Sequence, residues 1–408
     1  MRNDAGPAVA LGAIGKPRVA VVSPFIDRRH GTERRVAEWT SRLDTAYEVH
    51  VYSQRVEDID LSKITWHKIP KLPGPHLLNF LWWFAANHAW RWFDRTFRGL
   101  RPDLVFTPGT NCLDADAVSV HIVFAEFYRQ VKPELSLQRN PVRFWPRLIH
   151  RKLYYRLIMF LERRIYRDPS TTIILIAKKT AADLQRHYGR NGNLPVVYIG
   201  LDHEVFNPEA RVRLRPEMQR QLGLDDNLYV LLLVGNDWKK KGITALLESM
   251  AQLRDLPICL LVAGQDDAAP YAKQIRESGL DGKVRFLPHR RDVISYYAAA
   301  DTYVGPSLED TFAQPPAEAM ACGLPVITSA TNGTAEIMTD GVDGLILLDA
   351  TNVRDLTEKI RLLFRDAKLR DRFGKHAACT AKKYTWDRNG EEIRAIFDEI
   401  LRRKGLPD

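Results

Sequence analysis

The stretch LYVLLLVGNDWKKKGITALLESM, residues 228–250, decides the fold. It begins as an unbroken apolar run, turns at Gly235, and continues as a helix-like segment after Gly242. A short apolar run without alternating polar residues is typical of a strand that is covered on both faces, as in a parallel sheet. The stretch therefore predicts one strand–loop–helix unit of an α/β protein, with three lysines in its loop.

The same pattern recurs along the chain. A Gly- and Asn-rich break at 189–193 separates two series of short apolar runs with helical segments between them. The runs occupy residues 16–25, 47–54 and 102–110 in the first series, and 195–200, 228–235, 257–264, 283–288, 301–307 and 324–329 in the second. Because parallel strands connected by helices form doubly wound sheets, the sequence predicts two tandem Rossmann-like α/β domains that face each other across a cleft.

The chain length supports this division, since 408 residues exceed what one hydrophobic core usually organises. We expect a disordered tail over 1–16, an N-terminal Rossmann-like domain over 17–192 and a C-terminal one over 193–383. An amphipathic helix over 384–405 is expected to pack back onto the N-terminal domain. The four cysteines have no paired spacing, which argues against a disulfide framework or a cysteine zinc site and favours a reducing, cytoplasmic environment.

Positive charge is concentrated in one segment. Residues 129–167 contain eleven Lys or Arg and two Glu, so this segment carries +9 of the net charge of +10. The rest of the chain is nearly neutral, which argues against general nucleic-acid binding and favours one local anionic partner.

A Trp-rich segment over 77–93 contains four tryptophans, yet no run is long and apolar enough for a transmembrane helix. If this segment is helical, Asn87, Arg91 and Arg95 share one stripe. Two interpretations stay open, a buried core helix and a helix that lies at a membrane interface.

Two acids stand eight residues apart in EDTFAQPPAEAMACGLPVIT, residues 309–328. Pro315 and Pro316 suit the first turn of a helix, so Asp310 lies in the preceding loop and Glu318 near the helix start. Backbone amides would then point outward at this helix N-terminus, and those amides belong to Phe312, Ala313 and Gln314. With Lys240 and Lys241, they are suited to a diphosphate, while the two carboxylates can accept from sugar and ribose hydroxyls. The alternative is that the acids only complement the helix dipole or face solvent.

Two further residues are weaker candidates. Gly31 follows the first strand and precedes Thr32, which can cap a helix, and a glycine there lets a backbone amide approach a phosphate. His121 lies in the apolar stretch SVHIVFAEFY, where a single histidine is more often a core residue than a functional one.

Several segments together resemble the family-four retaining glycosyltransferases of the GT-B fold, over roughly residues 18–400. They are SLEDTFAQPPAEAMACGLPVITS, VGNDWKKKG, LLVAGQDD, VRFLPHRRDVISYYAAAD and YIGLDHEVFNP. Within that family, VGNDWKKKG, AGQD and SVHIVFAEFY are similar to glucosyltransferases of the lipopolysaccharide core. The resemblance implies a hexosyltransferase that uses a nucleoside diphosphate sugar, expected to be a UDP-hexose, with retention of the anomeric configuration. The acceptor it implies is a lipid-linked or cell-envelope glycan, bound by the N-terminal domain, while the C-terminal domain binds the donor.

The resemblance also implies roles for these residues. Glu318 matches the second acid of the family's Glu-seven-residues-Glu motif and would bind the donor ribose. Asp310 takes the place of the first acid, which holds the donor sugar; because Asp is shorter, Glu309 can fill this role instead. Lys241 matches the diphosphate-binding lysine. Many relatives carry an arginine where this chain has Asn236, and either Lys239 or Lys240 can supply the missing cation.

The other implied donor and acceptor contacts are dispersed along the chain. Gly31 matches the glycine whose amide meets the diphosphate, and His121 occupies the position near the reacting sugar and the acceptor. Arg290 lies in the PHRRD loop, near which the family recognises the donor base.

No metal and no cofactor are expected, because no metal-ligand cluster follows a strand. The expected partners are the nucleotide sugar, a glycolipid or glycan acceptor such as a lipopolysaccharide core, and an anionic membrane surface, but no nucleic acid. The protein is expected to be peripheral, on the inner face of the cytoplasmic membrane. A nucleotide-sugar epimerase of the same fold and a non-catalytic, membrane-associated nucleotide-sugar binding protein remain as alternatives. A dinucleotide oxidoreductase is disfavoured, since the first strand is not followed by a Gly-x-Gly-x-x-Gly turn.

Overall fold

The computed structural model describes residues 15–28, 31–139, 141–290 and 292–406. Nearly all of the tail expected at residues 1–16 lies outside these ranges. Internal contacts divide the chain into two compact units. The first contains the described residues up to 118 together with 135–172 and those from 394 onward, and the second contains 119–134 and 173–393.

The first sheet has six strands in the order β5-β3-β1-β6-β7-β8, and β1 pairs in parallel with both β3 and β6. The strands of this half are β1 (Arg18–Val22), β2 (Phe25–Ile26), β3 (Glu48–Ser53), β4 (Arg55–Val56), β5 (Thr65–Lys68), β6 (Leu104–Pro108), β7 (Ala117–Val120) and β8 (Thr172–Leu175). Its helices are α1 (Gly31–Leu43), α2 (His76–Phe97), α3 (Phe124–Val131), α4 (Trp145–Tyr166) and α5 (Lys179–Tyr188). β2 and β4 form a separate two-stranded sheet.

The second sheet, in the order β11-β10-β9-β12-β13-β14, lies within the second unit. Its strands are β9 (Tyr229–Val234), β10 (Ile258–Gly264), β11 (Val284–Pro288), β12 (Thr302–Gly305), β13 (Val326–Ser329) and β14 (Gly344–Leu347). The accompanying helices are α6 (Pro208–Gln221), α7 (Ile243–Ala251), α8 (Ala269–Glu277), α9 (Ile294–Ala299), α10 (Gln314–Ala321), α11 (Val353–Arg365), α12 (Ala367–Ala381) and α13 (Trp386–Arg403). The two parallel sheets with intervening helices confirm the predicted doubly wound α/β class.

The apolar run of β9 is covered on both faces, as its sequence predicts. Val230 and Leu232 pack into one core, Leu231 and Leu233 pack into the core on the other face, and all four are fully buried. Successive side chains of a strand point to opposite faces of a sheet, so only a continuous apolar run fills both cores.

Residues 195–200 are not a strand, and that prediction was wrong. Val196 forms only an isolated parallel bridge with Leu175, the last residue of β8. Five of the described strands lie outside the predicted runs, namely β4, β5, β7, β8 and β14. None is longer than four residues, and so short a run has a weak hydrophobic pattern, although β12 and β13 were predicted at the same length.

Helix α2 has an inverted distribution of polar and apolar side chains. Asn87, Arg91 and Asp94 are buried, whereas Trp92 and Phe97 are 61% and 65% exposed. The buried polar groups have partners: Arg91 donates to both carboxylate oxygens of Asp114 at 2.6 and 2.8 Å, and the Asn87 amide donates to a backbone carbonyl of another segment. Of the predicted stripe, Asn87 and Arg91 face inward but Arg95 is exposed, so α2 buries polar side chains and exposes aromatic ones. None of the helices in the described part of the chain is long and apolar enough to cross a membrane.

The end of α13 packs within the first unit. Phe397 lies 5.5 Å from Phe106 between ring centroids, the Tyr47 hydroxyl donates to the Asp398 carboxylate, and Lys404 Nζ donates to the Asp103 carbonyl at 2.8 Å. The last helix thus supplies one aromatic side chain to the core of that unit.

Candidate active site

Two loops at the carboxyl ends of adjacent strands meet in the second unit. The lysine loop follows β9, and a second loop follows its neighbour β12. Gly242 has a φ of 82°, and a Cβ there would lie 1.9 Å from the Pro306 carbonyl oxygen. The Leu308 amide donates to the Lys240 carbonyl at 2.7 Å. Only glycine permits this approach, so the backbone itself holds the two loops together.

This packing joins two of the residues predicted for the site. Lys241 Nζ donates to the Asp310 carboxylate, and the two side chains are only 14% and 21% exposed. The Asp310 backbone is fixed as well, since its amide donates to the Thr331 carbonyl at 3.2 Å and its carbonyl accepts from the Gly333 amide at 3.1 Å. The carboxylate and the ammonium therefore occupy defined positions at the edge of the sheet.

Glu318 lies in the second turn of α10. This helix begins at Gln314 with Pro315 and Pro316 in its first turn, as predicted, so Glu318 is not a first-turn acid. Its carboxylate is buried and accepts from the Tyr297 hydroxyl at 2.8 Å. Burial and then the charge of Glu318 raise the pKa of Tyr297 well above its ordinary value, so Tyr297 is a permanent donor.

Tyr303 is a second buried tyrosine of this region. It lies on β12, the strand that precedes the loop carrying Asp310. Burial and then the charges of Asp310 and Glu318 raise the pKa of Tyr303 above its ordinary value, so its hydroxyl stays protonated.

The predicted amide cluster before α10 is partly engaged by the protein itself. Phe312 and Ala313 are buried, and the Ala313 amide donates to Asn332 Oδ1 at 3.2 Å. Gln314 is the first residue of the helix. Ala313 therefore already has an acceptor, and the sequence alone did not reveal Asn332.

Lys240 and Arg290 each have an acidic neighbour. Lys240 Nζ is 3.2 Å from the Asp237 carboxylate and 4.5 Å from the ring centroid of Phe127. Arg290, which follows the edge strand β11, makes two hydrogen bonds to the Asp292 carboxylate at 2.8 and 2.9 Å. Neither contact joins these cations to the Lys241–Asp310 pair.

His121 and Gly31 lie apart from this cluster in the chain. His121 follows β7 and is partly buried, with Nε2 3.0 Å from the Ser119 hydroxyl. Gly31 is the first residue of α1 in the first unit, and no atom lies within 4 Å of the position a Cβ would take. Thr32 is the second residue of that helix, so it does not occupy the preceding capping position.

Lys179 is a residue of this region that the sequence reasoning missed. It lies at the start of α5, just after β8, and its ammonium contacts the Glu309 carboxylate. The sequence did contain a signal for Lys179, since IILIAKK is an apolar run followed by lysines at a strand end. Within the described ranges, no group of three or more His, Cys, Asp or Glu side chains is arranged to hold a metal ion.

Comparison with known proteins gives the family. The model described as "Glycosyl transferases group 1" matches residues 215–379, and that described as "Glycosyltransferase Family 4" matches residues 29–205. The crystal structure of WaaG, a glycosyltransferase involved in lipopolysaccharide biosynthesis, superposes with a TM-score of 0.73 at 22% identity over 93% of this chain and 99% of that one. Both halves of the chain thus match glycosyltransferase family models, and the chain has the GT-B fold.

The curated relatives of this chain act on different acceptors. The D-inositol 3-phosphate glycosyltransferase of Arthrobacter sp. (strain FB24) is 28% identical over 59% of this chain and 59% of its own length. The lipopolysaccharide glucosyltransferase WaaG of Escherichia coli (strain K12) is 28% identical over 55% and 61% respectively. The chain therefore matches about three fifths of the length of such curated relatives.

A solved structure of Anabaena HepE in complex with UDP-glucose shares the fold of this chain. It has a TM-score of 0.66 at 18% identity and covers 94% of this chain and 99% of that one.

Proposed function

We propose that this glycosyltransferase transfers a hexosyl group from a UDP-sugar to a lipid-linked or cell-envelope glycan, with retention of the anomeric configuration. The observation that carries the proposal is the Lys241–Asp310 pair in the loops that follow β9 and β12, together with the buried Glu318 on α10, the helix after the second loop. In parallel α/β sheets, ligands bind at the carboxyl ends of the strands. The UDP-glucose bound by Anabaena HepE supports the choice of donor.

Each side chain has a separate task in this proposal. Lys241 stabilises the negative charge that develops on the leaving diphosphate when the bond from the anomeric carbon breaks. Glu318 accepts from the ribose hydroxyls, and Asp310 accepts from the hydroxyls of the sugar. The departing diphosphate takes the proton of the acceptor hydroxyl, which attacks on the same face, so no side chain serves as a nucleophile. His121 lies near the reacting sugar and the acceptor.

A donor panel tests the proposal. Thermal melting with UDP-, GDP- and ADP-sugars should select the UDP-sugar, since a ligand at a hundred times its Kd adds about 2.7 kcal/mol of stability. Transfer to a lipopolysaccharide-core or lipid-linked acceptor should then release UDP and give a product with the anomeric configuration of the donor. Conversion of the donor sugar without an acceptor would identify an epimerase, and binding without turnover would identify a non-catalytic protein.

Helices α2 and α4 of the first unit form the surface that we assign to an anionic membrane. The two helices pack together, with the Tyr154 ring centroid 5.7 Å from that of Phe80 and the Leu77 amide 3.3 Å from His150 Nε2. Large apolar side chains are exposed on both helices: Leu78, Leu81, Trp92, Phe93 and Phe97 on α2, and Ile149, Leu153 and Phe160 on α4.

Basic side chains accompany these apolar groups. Arg147, Arg151 and Arg156 of α4 are exposed between the apolar residues. Exposed aromatic groups favour the headgroup boundary of a bilayer, and each basic residue near an anionic leaflet adds about 1 kcal/mol of binding. Peripheral attachment to the inner face of the cytoplasmic membrane would bring the enzyme to a lipid-borne acceptor.

Vesicle sedimentation tests this surface. Binding should increase with phosphatidylglycerol content, decrease with salt, and weaken when Arg147, Arg151 and Lys152 are replaced by Glu. A matched control makes the same change of charge at exposed positions of the second unit, which are Arg354, Arg365 and Lys368. Equal binding of both triple variants, or equal binding to neutral and anionic vesicles, would refute the assignment.

A further inference from the structure

The Lys179 side chain has three acceptors within the second unit. Its ammonium donates to the Glu309 carboxylate, to the Asp310 carbonyl at 3.1 Å and to the Thr331 carbonyl at 2.6 Å. An ammonium has three N–H donors, so this set satisfies all of them. Lys179 is therefore poorly suited to bind a phosphate and well suited to fix the chain around Asp310.

The backbone from which Lys179 projects is also fixed. The amides of Lys178 and Lys179 each donate to the Glu336 carboxylate at 2.7 Å, and that carboxylate accepts from the Tyr198 hydroxyl at 3.1 Å. A carboxylate at a helix N-terminus is stabilised by the free amides and the helix dipole. The start of α5 is thus a rigid support for the lysine side chain.

Two adjacent acids are held in different ways as a result. Glu309 is paired with Lys179, whereas the carboxylate of Asp310 is paired with Lys241. Asp310 forms a bridge with Asn332, so its backbone is locally extended, and neighbouring side chains of an extended chain point in opposite directions. Lys179 neutralises the acid on one side and leaves the other beside the proposed diphosphate-binding lysine.

We propose that Lys179 is a positioning residue that selects Asp310, and not Glu309, as the acid that binds the donor sugar. The inference rests on the proposed function and adds the reason why Asp310, and not the preceding Glu309, binds the donor sugar. Without Lys179, Glu309 would lose its ion-pair partner, and the Asp310 carbonyl would lose one of its two hydrogen-bond donors. The sugar would then lose its defined contact, while the nucleotide end of the donor would keep Glu318 and Lys241.

Steady-state kinetics and calorimetry test this division between sugar and nucleotide. Lys179→Met should lower kcat at least about tenfold with the UDP-sugar, while the Kd of UDP, which lacks the sugar, should change less than about threefold. Lys179→Arg should recover much of kcat, because its guanidinium can donate to the same oxygens. Lys178→Met is the matched control, since this neighbouring side chain is exposed, and it should behave as the wild type.

A second pair of variants keeps the inference testable if Lys179→Met folds poorly. Asp310→Asn should lose most of kcat, whereas Glu309→Gln should retain it. A greater loss in Glu309→Gln would overturn the inference, as would equal losses of kcat and UDP affinity in Lys179→Met. If the wild type transfers no sugar from any donor, the proposed function itself fails. An active wild type with an unaffected Lys179→Met variant would overturn this inference alone.

Discussion

Replacement of Glu318 by glutamine separates its proposed role in donor binding from its role in the fold. The wild-type carboxylate is buried and accepts from the Tyr297 hydroxyl at 2.8 Å. Glutamine has nearly the same shape and keeps one oxygen acceptor, so the Tyr297 hydroxyl stays satisfied. The free energy of unfolding should therefore change by less than about 1 kcal/mol, the value of one ordinary hydrogen bond.

Donor affinity should fall much further. A carboxylate can accept from both hydroxyls of the ribose, and hydrogen bonds to a charged group contribute about 1.5–3 kcal/mol each. Glu318→Gln removes the charge and one acceptor, for which we expect a loss of about 2 kcal/mol. This corresponds to an increase of about 30-fold in the Kd of UDP, since each 1.4 kcal/mol is a factor of ten.

Titration calorimetry with UDP, together with thermal melting, measures both quantities. Asp343→Asn is a matched control, because Asp343 is also a buried acid of the second unit and accepts from the Thr339 amide and the Thr380 hydroxyl. It stands at the amino end of β14, away from the carboxyl-end loops. The control should lower the melting temperature and leave the Kd of UDP unchanged.

An unchanged Kd of UDP in a folded Glu318→Gln variant would refute the assignment of Glu318 to the ribose. A control variant that weakens UDP binding as much as Glu318→Gln would show that the loss reflects general destabilisation of the second unit.

Three further predictions concern the loops, metal independence and acid stability. Gly242→Ala should destabilise the protein and abolish transfer, because its Cβ would collide with the Pro306 carbonyl, whereas Gly279→Ala, also at positive φ but with open space, should cost only about 1 kcal/mol in thermal melts. Transfer in excess EDTA should equal transfer with magnesium, and a loss that magnesium restores would contradict this. The Arg129 guanidinium holds the pKa of Glu126 below its ordinary value of 4.5, so Glu126 stabilises the fold above that pH and loses its effect as the pH falls below it. The difference in melting temperature between wild type and Glu126→Gln should accordingly shrink below about pH 4.5, and a constant difference would be contrary to the prediction.

The lysine loop and the acidic loop could each be predicted from local sequence, but their contact could not. Lys241 and Asp310 are 69 residues apart, and they meet because β9 and β12 are neighbours in the sheet. Strand order depends on which surfaces pack best in three dimensions, and hydrophobic periodicity carries no information about it. The interaction of Lys179 with Glu309, over 130 residues, was missed for the same reason, although the sequence contains the apolar run that precedes Lys179.

Helix α2 shows a different limit of sequence reasoning. Its polar stripe was predicted as Asn87, Arg91 and Arg95, but Arg95 is exposed, and the side that faces inward depends in part on distant segments. Arg91 is buried because Asp114 neutralises it. Asp94 pairs with Arg98 on the same helix at 3.0 Å, and His67 and Tyr52 contact it at 2.8 and 2.9 Å. A buried charge is tolerated only when it is paired, so the burial of this stripe depends on positions far away in the chain.

The sequence by itself determined the α/β class, the strand–loop–helix units and the start of α10 at its proline pair, because these follow from side-chain periodicity and from the restricted backbone of proline and glycine. The tertiary structure alone decided that Asp310 pairs with Lys241, that Lys179 holds Glu309, and that α2 turns its aromatic side outward. Each of these is a contact between segments distant in the chain, and its energy depends on distance and burial, which exist only once the strands have taken their order in the sheet.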